Sequence, residues 1–396
     1  MNTINRVSLK GKRVLIRVDF NVPLDENLNI TDDSRMVAAL PTIKKVVSDG
    51  GMAIIISHLG RPKNGFEEKF SLKHTVNHLS NLLESPVAFS SDCIGENTTS
   101  DVAKMNKGDV LILENLRFYS EEKSGDEGFA KKLAKLGDVY VNDAFGTAHR
   151  SHASNVIIAK FFPNNKYFGF LLAKEVSSLE KVLSNPKRPF TAIIGGAKIT
   201  GKIDVIKSLF DKVDNLIIGG GMAYTFAKSA GGKVGKSLVE DEKVALAKKL
   251  IDEAKKRGVN LLLPTDSVNA DDFNNGANTN ISDILSIDEN YMGLDIGNES
   301  VAKFSDVIKT SKTIVWNGPM GVFEMEKFET GTKKIGEAIC LATEKSAFSL
   351  VGGGDSVAAL QKFNFENRVS YISTGGGAML EYLEGKKLPG VVAILS

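Results

Sequence analysis

The chain has 396 residues, 42% hydrophobic and 25% charged, an ordinary composition for a soluble globular protein and a length that predicts two domains rather than one core. Fifty basic and 48 acidic residues leave a net charge of +2 with no charged tail, which argues against nucleic acid and membrane surfaces as partners and requires any anion site to be built locally. Two cysteines, Cys93 and Cys340, exclude a disulfide framework and argue against structural zinc. No apolar run is long enough to span a bilayer, and Met1–Val7 lacks a signal-peptide pattern, so a cytoplasmic location is expected.

In chain order, β-branched and apolar residues predict a first strand over 14–18, ending in Asp19-Phe20-Asn21-Val22-Pro23. Asp33 or Ser34 can then cap a helix through Val46 that ends at Gly50-Gly51; Pro41 inside it predicts a kink or the true start. A strand over 52–56 ends in Ser57-His58-Leu59-Gly60-Arg61-Pro62, and 71–83 reads as an amphipathic helix. Strands over 110–113 and 139–141 end in Glu114-Asn115-Leu116-Arg117-Phe118 and in Asn142 to Arg150, with a helix over 129–136 between them. A longer helix is predicted over 171–183, closed by Asn185-Pro186-Lys187-Arg188-Pro189, where the domain junction is placed.

Beyond that junction the strand ends change character. Strands over 190–194, 216–218, 261–263, 313–316, 349–351 and 369–372 end in Gly195-Gly196-Ala197-Lys198, Gly219-Gly220-Gly221-Met222, Pro264-Thr265-Asp266, Asn317-Gly318-Pro319, Gly352-Gly353-Gly354-Asp355 and Ser373-Thr374-Gly375-Gly376-Gly377. The clearest helix lies over 240–257 and is stopped by Gly258. About ten short apolar runs alternating with helices predict an α/β fold of two Rossmann-like domains, each a mainly parallel sheet flanked by helices, joined by a hinge helix. In such sheets ligands bind beyond the carboxyl ends of the strands.

The residues at those ends differ between the halves. The first half carries Asp19, Asn21, His58, Arg61, Asn115, Arg117, His149 and Arg150. Guanidinium forks and imidazoles there suit the carboxylate and phosphate oxygens of a small metabolite. The second half carries glycines with Lys198, Asn317 and Asp355. Glycine turns at helix starts let backbone N–H groups approach a polyphosphate. At Gly352–Ser356, Asp355 is either a helix cap or a ligand for a cation that travels with phosphate. A small anionic substrate in one half and a nucleotide in the other predict phosphoryl transfer.

Other readings stay open at individual residues. Arg17 follows strand alternation and reads as a surface residue or an ion-pair partner. His58 and His149 could be packing residues; His74 and His78, at i and i+4, could share a metal or lie on a solvated helix face. Gly196 to Lys202 matches GxxxxGK after a strand, but Ile203 stands where a P-loop needs a hydroxyl, so it reads as a look-alike whose lysines still meet phosphate. A non-catalytic nucleotide-dependent binding protein and a nicotinamide dehydrogenase are the competing functions. The lack of GxGxxG after either half's first strand weighs against the second.

These stretches together resemble the phosphoglycerate kinase family along essentially the whole chain. The likeness is carried by Arg17 to Pro23, His58 to Pro62, Glu114 to Phe118 and Asn142 to Arg150. In the second half it is carried by Gly195 to Lys198, Gly219 to Ala223, Met292 to Asp295, Trp316 to Pro319, Gly321 to Glu324, Gly352 to Asp355 and Ser373 to Ala378. The resemblance implies reversible glycolytic transfer of the acyl phosphate of 1,3-bisphosphoglycerate to Mg-ADP, giving 3-phosphoglycerate and Mg-ATP, in a cytoplasmic monomer that hinges shut. It implies a phosphoglycerate-binding domain over 1–168, an interdomain helix and linker over 169–185, a nucleotide-binding domain over 186–385 and a tail over 386–396 returning to the first domain. Asp19, Asn21, Arg35, His58, Leu59, Gly60, Arg61, Arg117 and Arg150 would hold phosphoglycerate. Gly196, Ala197, Lys202, Gly221, Gly293, Asn317, Glu324, Gly353, Gly354, Asp355 and Ser356 would hold the nucleotide, Asp355 through Mg²⁺. Arg35, Lys198, Lys202 and the N–H groups of Gly375 and Gly376 would neutralise the transferring phosphoryl group. The chain departs from the family pattern at Ser356, where threonine is usual, at Thr265 and Ser267, where apolar residues are commoner, and at Thr200-Gly201, where many members carry an acidic residue.

Overall fold

Continuous apolar runs become strands buried on both faces, the environment of a parallel sheet covered by helices. In a computed structural model, which describes residues 1–63 and 65–396, β1 (Arg13–Arg17), β2 (Met52–Ile56), β4 (Val110–Leu113) and β5 (Val139–Asn142) are such strands, flanked by the edge strands β3 (Val87–Ser90) and β6 (Lys166–Phe168). They form one sheet in the order β3-β4-β2-β1-β5-β6, and every pairing is parallel. The chain moves from β1 to β2, out to the edge strand β3, back to β4 between β2 and β3, and then to β5 on the far side of β1. The order therefore reverses between β1 and β5, the place where an open α/β sheet offers a crevice. Val14, Ile16, Ala53, Ile55, Val110, Ile112 and Val141 line one continuous core with Met36, Ile43 and Val46 of the helix Ser34–Ser48. Each such buried side chain contributes about 1.5–3 kcal/mol.

A second sheet follows the same logic. Its strands are β7 (Phe190–Ile194), β8 (Asn215–Ile218), β10 (Asn260–Leu262), β15 (Thr313–Asn317), β16 (Phe348–Val351) and β17 (Tyr371–Ile372), in the parallel order β10-β8-β7-β15-β16-β17. Its order reverses between β7 and β15. Smaller additions are β9 (Lys233–Val234) paired with β13 (Ser286–Ile287), and the antiparallel set β12 (Thr279–Asp283), β11 (Asp266–Ala270) and β14 (Met292–Ile296). The chain divides into two compact units, Met1–Ser177 with Lys387–Ser396, and Ser178–Lys386; the boundary falls inside the helix Phe170–Leu183. The terminal helix Pro389–Leu395 belongs to the first unit, where the Gly390 N–H donates to the Ala148 carbonyl at 2.8 Å and Asn142 Nδ2 donates to the Gly390 carbonyl at 3.2 Å. No helix among the described residues is long and apolar enough to cross a membrane.

Several elements differ from the sequence reading. The first helix runs unbroken through Pro41, and Asp33 makes no side-chain cap; its carboxylate accepts instead from His78 Nε2 at 2.8 Å, while Asp32 Oδ1 takes the Ser34 N–H at 2.9 Å. The predicted helix over 71–83 starts as a 3-10 turn, Leu72–Thr75, before the α-helix Val76–Leu83. That turn forms because Glu114 reaches across to accept from Ser71 Oγ at 2.6 Å and from the Leu72 N–H at 2.9 Å. The helix over 240–257 likewise opens with a 3-10 turn, Asp241–Lys243, ahead of Val244–Lys256. Sequence periodicity missed β3, β6 and the helix Glu96–Ala103. The two strands are edge strands of four and three residues, too short to show a period.

Candidate active site

The carboxyl ends of β1, β2 and β4 deliver a cluster of polar and charged side chains in the first unit. Asp19 follows β1 and its Oδ2 accepts from Arg35 NH1 at 2.9 Å; His58 follows β2 and places Nδ1 3.9 Å from Asp19 Oδ1. Asn21 Oδ1 accepts the Gly60 N–H at 2.8 Å, and Arg117 NH1 donates to the Gly60 carbonyl at 2.8 Å. Asn115 Nδ2 donates to the carbonyls of Leu59 and Phe70 at 2.7 and 2.8 Å. The loop Leu59–Gly60 is thus fixed from three sides. Gly60 has a φ of +62°, and a Cβ there would lie 2.2 Å from the Phe70 ring, so no larger residue fits. Arg61 and Arg150 are exposed, and their side chains make no hydrogen bond or ion pair among the described residues.

Charge in this cluster is unbalanced. Arg17, Arg35, Arg61, Arg117 and Arg150 act on each other and on its histidines, with Asp19 and Glu122 as the opposing carboxylates. Burial, reinforced by Arg17, Arg117, Arg35 and His152, holds the His58 imidazole well below its ordinary 6.5, so it is neutral. Burial, then Arg17, pulls Arg117 down to about 10, and burial pulls His152 down to about 4. Burial is the larger cause and the neighbouring cations add to it, surroundings that an anionic ligand would offset. Arg17 is no surface residue: it is fully buried, and its partners are Ser154, the Val18 carbonyl and His58. His74 and His78 do not converge on a metal; His74 Nε2 meets the Glu68 carbonyl at 2.8 Å and His78 meets Asp33.

In the second unit the glycine-tipped strands enclose a cavity of about 690 Å³. Gly196, Ala197, Gly221, Gly293, Glu324 and Asp355 all line it, with Tyr224, Leu238, Met292, Pro319 and Val322. Tyr224, Leu238 and Met292 were not predicted. Tyr224 follows the Gly219–Ala223 stretch directly and packs under Gly293, where a Cβ would lie 2.2 Å from its hydroxyl. The Tyr224 hydroxyl bonds Ser267 Oγ at 2.8 Å, which accounts for a hydroxyl at 267 where an apolar side chain is commoner. Glu324 and Asp355 are exposed.

Lys202 spans the reversal point of the second sheet. Its Nζ donates to the carbonyls of Gly195, at the end of β7, and Asn317, at the end of β15, at 2.6 and 3.0 Å. Burial lowers its pKa to about 8, opposed by Asp355. Lys198 is exposed and makes no hydrogen bond or ion pair among the described residues. Between the two lysines, Glu240 accepts the N–H groups of Ile199 at 2.5 Å and Thr200 at 3.3 Å and the Thr200 hydroxyl. A carboxylate 41 residues away from Ile199 thus anchors this loop, which lacks an acidic residue of its own. Sequence proximity gave no signal for it.

The last two glycine turns start helices. Gly353 precedes Gly354–Lys362 with a φ of +95°, so Asp355 lies in the first turn and is not the cap residue. An imagined Cβ on Gly354 meets nothing within 4 Å, so the helix start is open on the side that Gly354 faces. Ser356 is buried, and its Oγ accepts the Gly318 N–H at 2.6 Å. Its oxygen therefore clamps the Asn317-Gly318-Pro319 turn, while Asn317 Nδ2 donates to the Gly352 carbonyl at 2.8 Å. Gly375 precedes the helix Gly376–Leu383, and its N–H is taken up by Ser373 Oγ at 3.2 Å; Gly376 opens the first turn.

Known proteins match this chain over nearly its full length. A family profile described as phosphoglycerate kinase matches residues 4–386. The chain is 52% identical to "Phosphoglycerate kinase" of Porphyromonas gingivalis, covering 99% of each protein, and 52% identical to "Phosphoglycerate kinase 3, cytosolic" of Arabidopsis thaliana, covering 100% of this chain and 98% of that one. The solved structure of phosphoglycerate kinase from Coxiella burnetii superposes with a TM-score of 0.90 at 40% identity, covering 99% of this chain and 98% of that chain. That from Pyrococcus horikoshii superposes with a TM-score of 0.87 at 32% identity, covering 100% and 98%. Matched over residues 4–386 by the family profile, and at 52% identity by a full-length relative, this chain belongs to the phosphoglycerate kinase family.

Proposed function

We propose that the chain is an ATP:3-phosphoglycerate 1-phosphotransferase, moving a phosphoryl group reversibly between 1,3-bisphosphoglycerate and ADP in glycolysis. The observation that carries this is the excess of guanidinium groups around a neutral His58 and a fixed Leu59–Gly60 loop. That chemistry suits a small molecule bearing both a phosphate and a carboxylate. The glycine-walled cavity, apolar on its Tyr224, Met292 and Val322 side and polar at Glu324 and Asp355, suits a nucleotide with its phosphates toward the start of Gly354–Lys362.

In the direction of ATP consumption, a carboxylate oxygen of 3-phosphoglycerate attacks the γ-phosphorus, the bond to the β-phosphate bridging oxygen breaks, and ADP leaves with the electron pair. The nucleophile is already ionised at neutral pH, so no general base is required. The protein's task is alignment and charge neutralisation. Arg35, Lys198, Lys202 and the N–H groups of Gly375 and Gly376 take the neutralising role in this proposal, with the Gly375 N–H leaving Ser373. Asp19, Asn21, His58, Arg61, Arg117 and Arg150 hold phosphoglycerate. Asp355 would hold Mg²⁺. One exposed carboxylate in the first turn of a helix fits an ion that keeps several waters and is shared with phosphates. When bound, Mg²⁺ supplies charge neutralisation on the phosphate oxygens.

A cytoplasmic location, a monomeric state and closure about the helix Phe170–Leu183 belong to the same proposal; light scattering on the eluted chain tests the second and small-angle scattering with both substrates the third. The activity is tested by 3-phosphoglycerate-dependent ATP consumption in the presence of Mg²⁺. Absence of turnover by folded chain would favour a non-catalytic binding protein on the same fold.

A further inference from the structure

A fully buried guanidinium is costly unless each of its donors is met. Arg17 has a partner at each of its three nitrogens. Its Nε donates to Ser154 Oγ at 2.9 Å, an NH1 proton goes to the Val18 carbonyl, and NH2 lies 3.2 Å from His58 Nδ1. Ser154 passes the polarity on: its Oγ donates to Glu122 Oε1 at 2.6 Å and its N–H to Glu122 Oε2 at 3.0 Å. Glu122 is itself fully buried on the short helix Ser120–Ser124. Guanidinium, hydroxyl and carboxylate thus form a line in which the hydroxyl can point only one way.

The end of the line decides the state of His58. Arginine has donors and no acceptor, so Nδ1 facing it must present a lone pair. A neutral imidazole has one N–H, which is then on Nε2. The imidazolium is disfavoured by burial and by Arg17, Arg117, Arg35 and His152; the nearby carboxylate, Asp19, has one oxygen engaged with Arg35 and the other 3.9 Å from Nδ1. Nε2 makes no hydrogen bond among the described residues. We infer that Glu122, Ser154 and Arg17 act as positioning residues that fix His58 as the neutral Nε2–H tautomer, so that it offers the substrate anion a hydrogen-bond donor and no charge. This rests on the assignment of the His58 site to phosphoglycerate.

Long-range ¹H–¹⁵N spectra of protein labelled at its five histidines, assigned with His58→Gln, read the tautomer without any substrate. The expected His58 pattern is a protonated Nε2 and a lone-pair Nδ1 that stays unchanged between about pH 5.5 and 8. An Nδ1–H pattern, or an imidazolium at pH 7, overturns the inference. Ser154→Ala, which breaks the line with the loss of one oxygen, is expected to mix the tautomers and to raise the KM for 3-phosphoglycerate about tenfold, with the KM for ATP changed less than about twofold. An unaltered tautomer together with an unaltered KM in this variant overturns the positioning role. Because the spectra need no turnover, a chain without kinase activity would refute the proposed function while the tautomer is still read.

Discussion

Replacing Lys202 with methionine separates what this side chain does for folding from what it does for the nucleotide. Burial has brought its pKa from the ordinary 10.5 to about 8, which corresponds to about 3 kcal/mol spent at neutral pH on holding a charge out of water. Methionine of similar length removes that cost. It also leaves the Gly195 and Asn317 carbonyls without the Nζ donor, at about 1–3 kcal/mol each. The two effects largely offset, so Lys202→Met should change unfolding free energy at pH 7 by no more than about 3 kcal/mol. The pH dependence has a definite sign. A depressed lysine pKa destabilises the fold fully below about pH 8, and the penalty is relieved as pH rises from about 8 to 10.5, because the unfolded chain then holds the proton that the folded chain has lost. Urea unfolding across that range should show wild type gaining up to about 3 kcal/mol relative to the variant. Turnover should fall about 10²–10³-fold, as when a charge clamp on a transferring group is removed. Parallel stability curves, or near-normal turnover, would refute the reasoning.

Arg35→Ala removes the partner of Asp19 and a neutralising charge; kcat should drop by about 10²-fold while ATP affinity, measured by calorimetry, stays put. Asp355→Asn should weaken Mg-nucleotide binding about tenfold and leave 3-phosphoglycerate affinity intact; equal loss of both would contradict the division of the site. Asp143 is fully buried, accepts the Leu172 N–H at 3.0 Å, and leaves Oδ2 without a hydrogen bond. Burial raises its pKa from the ordinary 3.8 to about 7. A raised carboxyl pKa contributes stability that is full below about pH 4 and lost as pH rises through about 7, up to about 4 kcal/mol. Thermal unfolding should show that fall in wild type and not in Asp143→Asn, and matching slopes would discard it.

The sequence by itself determined the parallel α/β plan, because strands covered on both faces must be apolar throughout and their turns must be glycine, asparagine or proline; both are local facts. It also placed the chemistry. Asp19, His58 and Arg117 in one unit, and Lys202 and Asp355 in the other, stand after strands or at helix starts, so their gathering within each unit follows from topology once its sheet is parallel. Tertiary structure alone decided how each side chain is employed. Arg17 became a buried donor to Ser154, 137 residues away, and Glu240 became the carboxylate of a loop 41 residues distant. Ser356 became a clamp on Gly318. Tyr224 became the support under Gly293. Such pairings depend on which strand ends meet at the sheet reversals. A hydrogen bond across that distance leaves no spacing or period in the chain, so partner, protonation and tautomer are set only after the fold has closed around them.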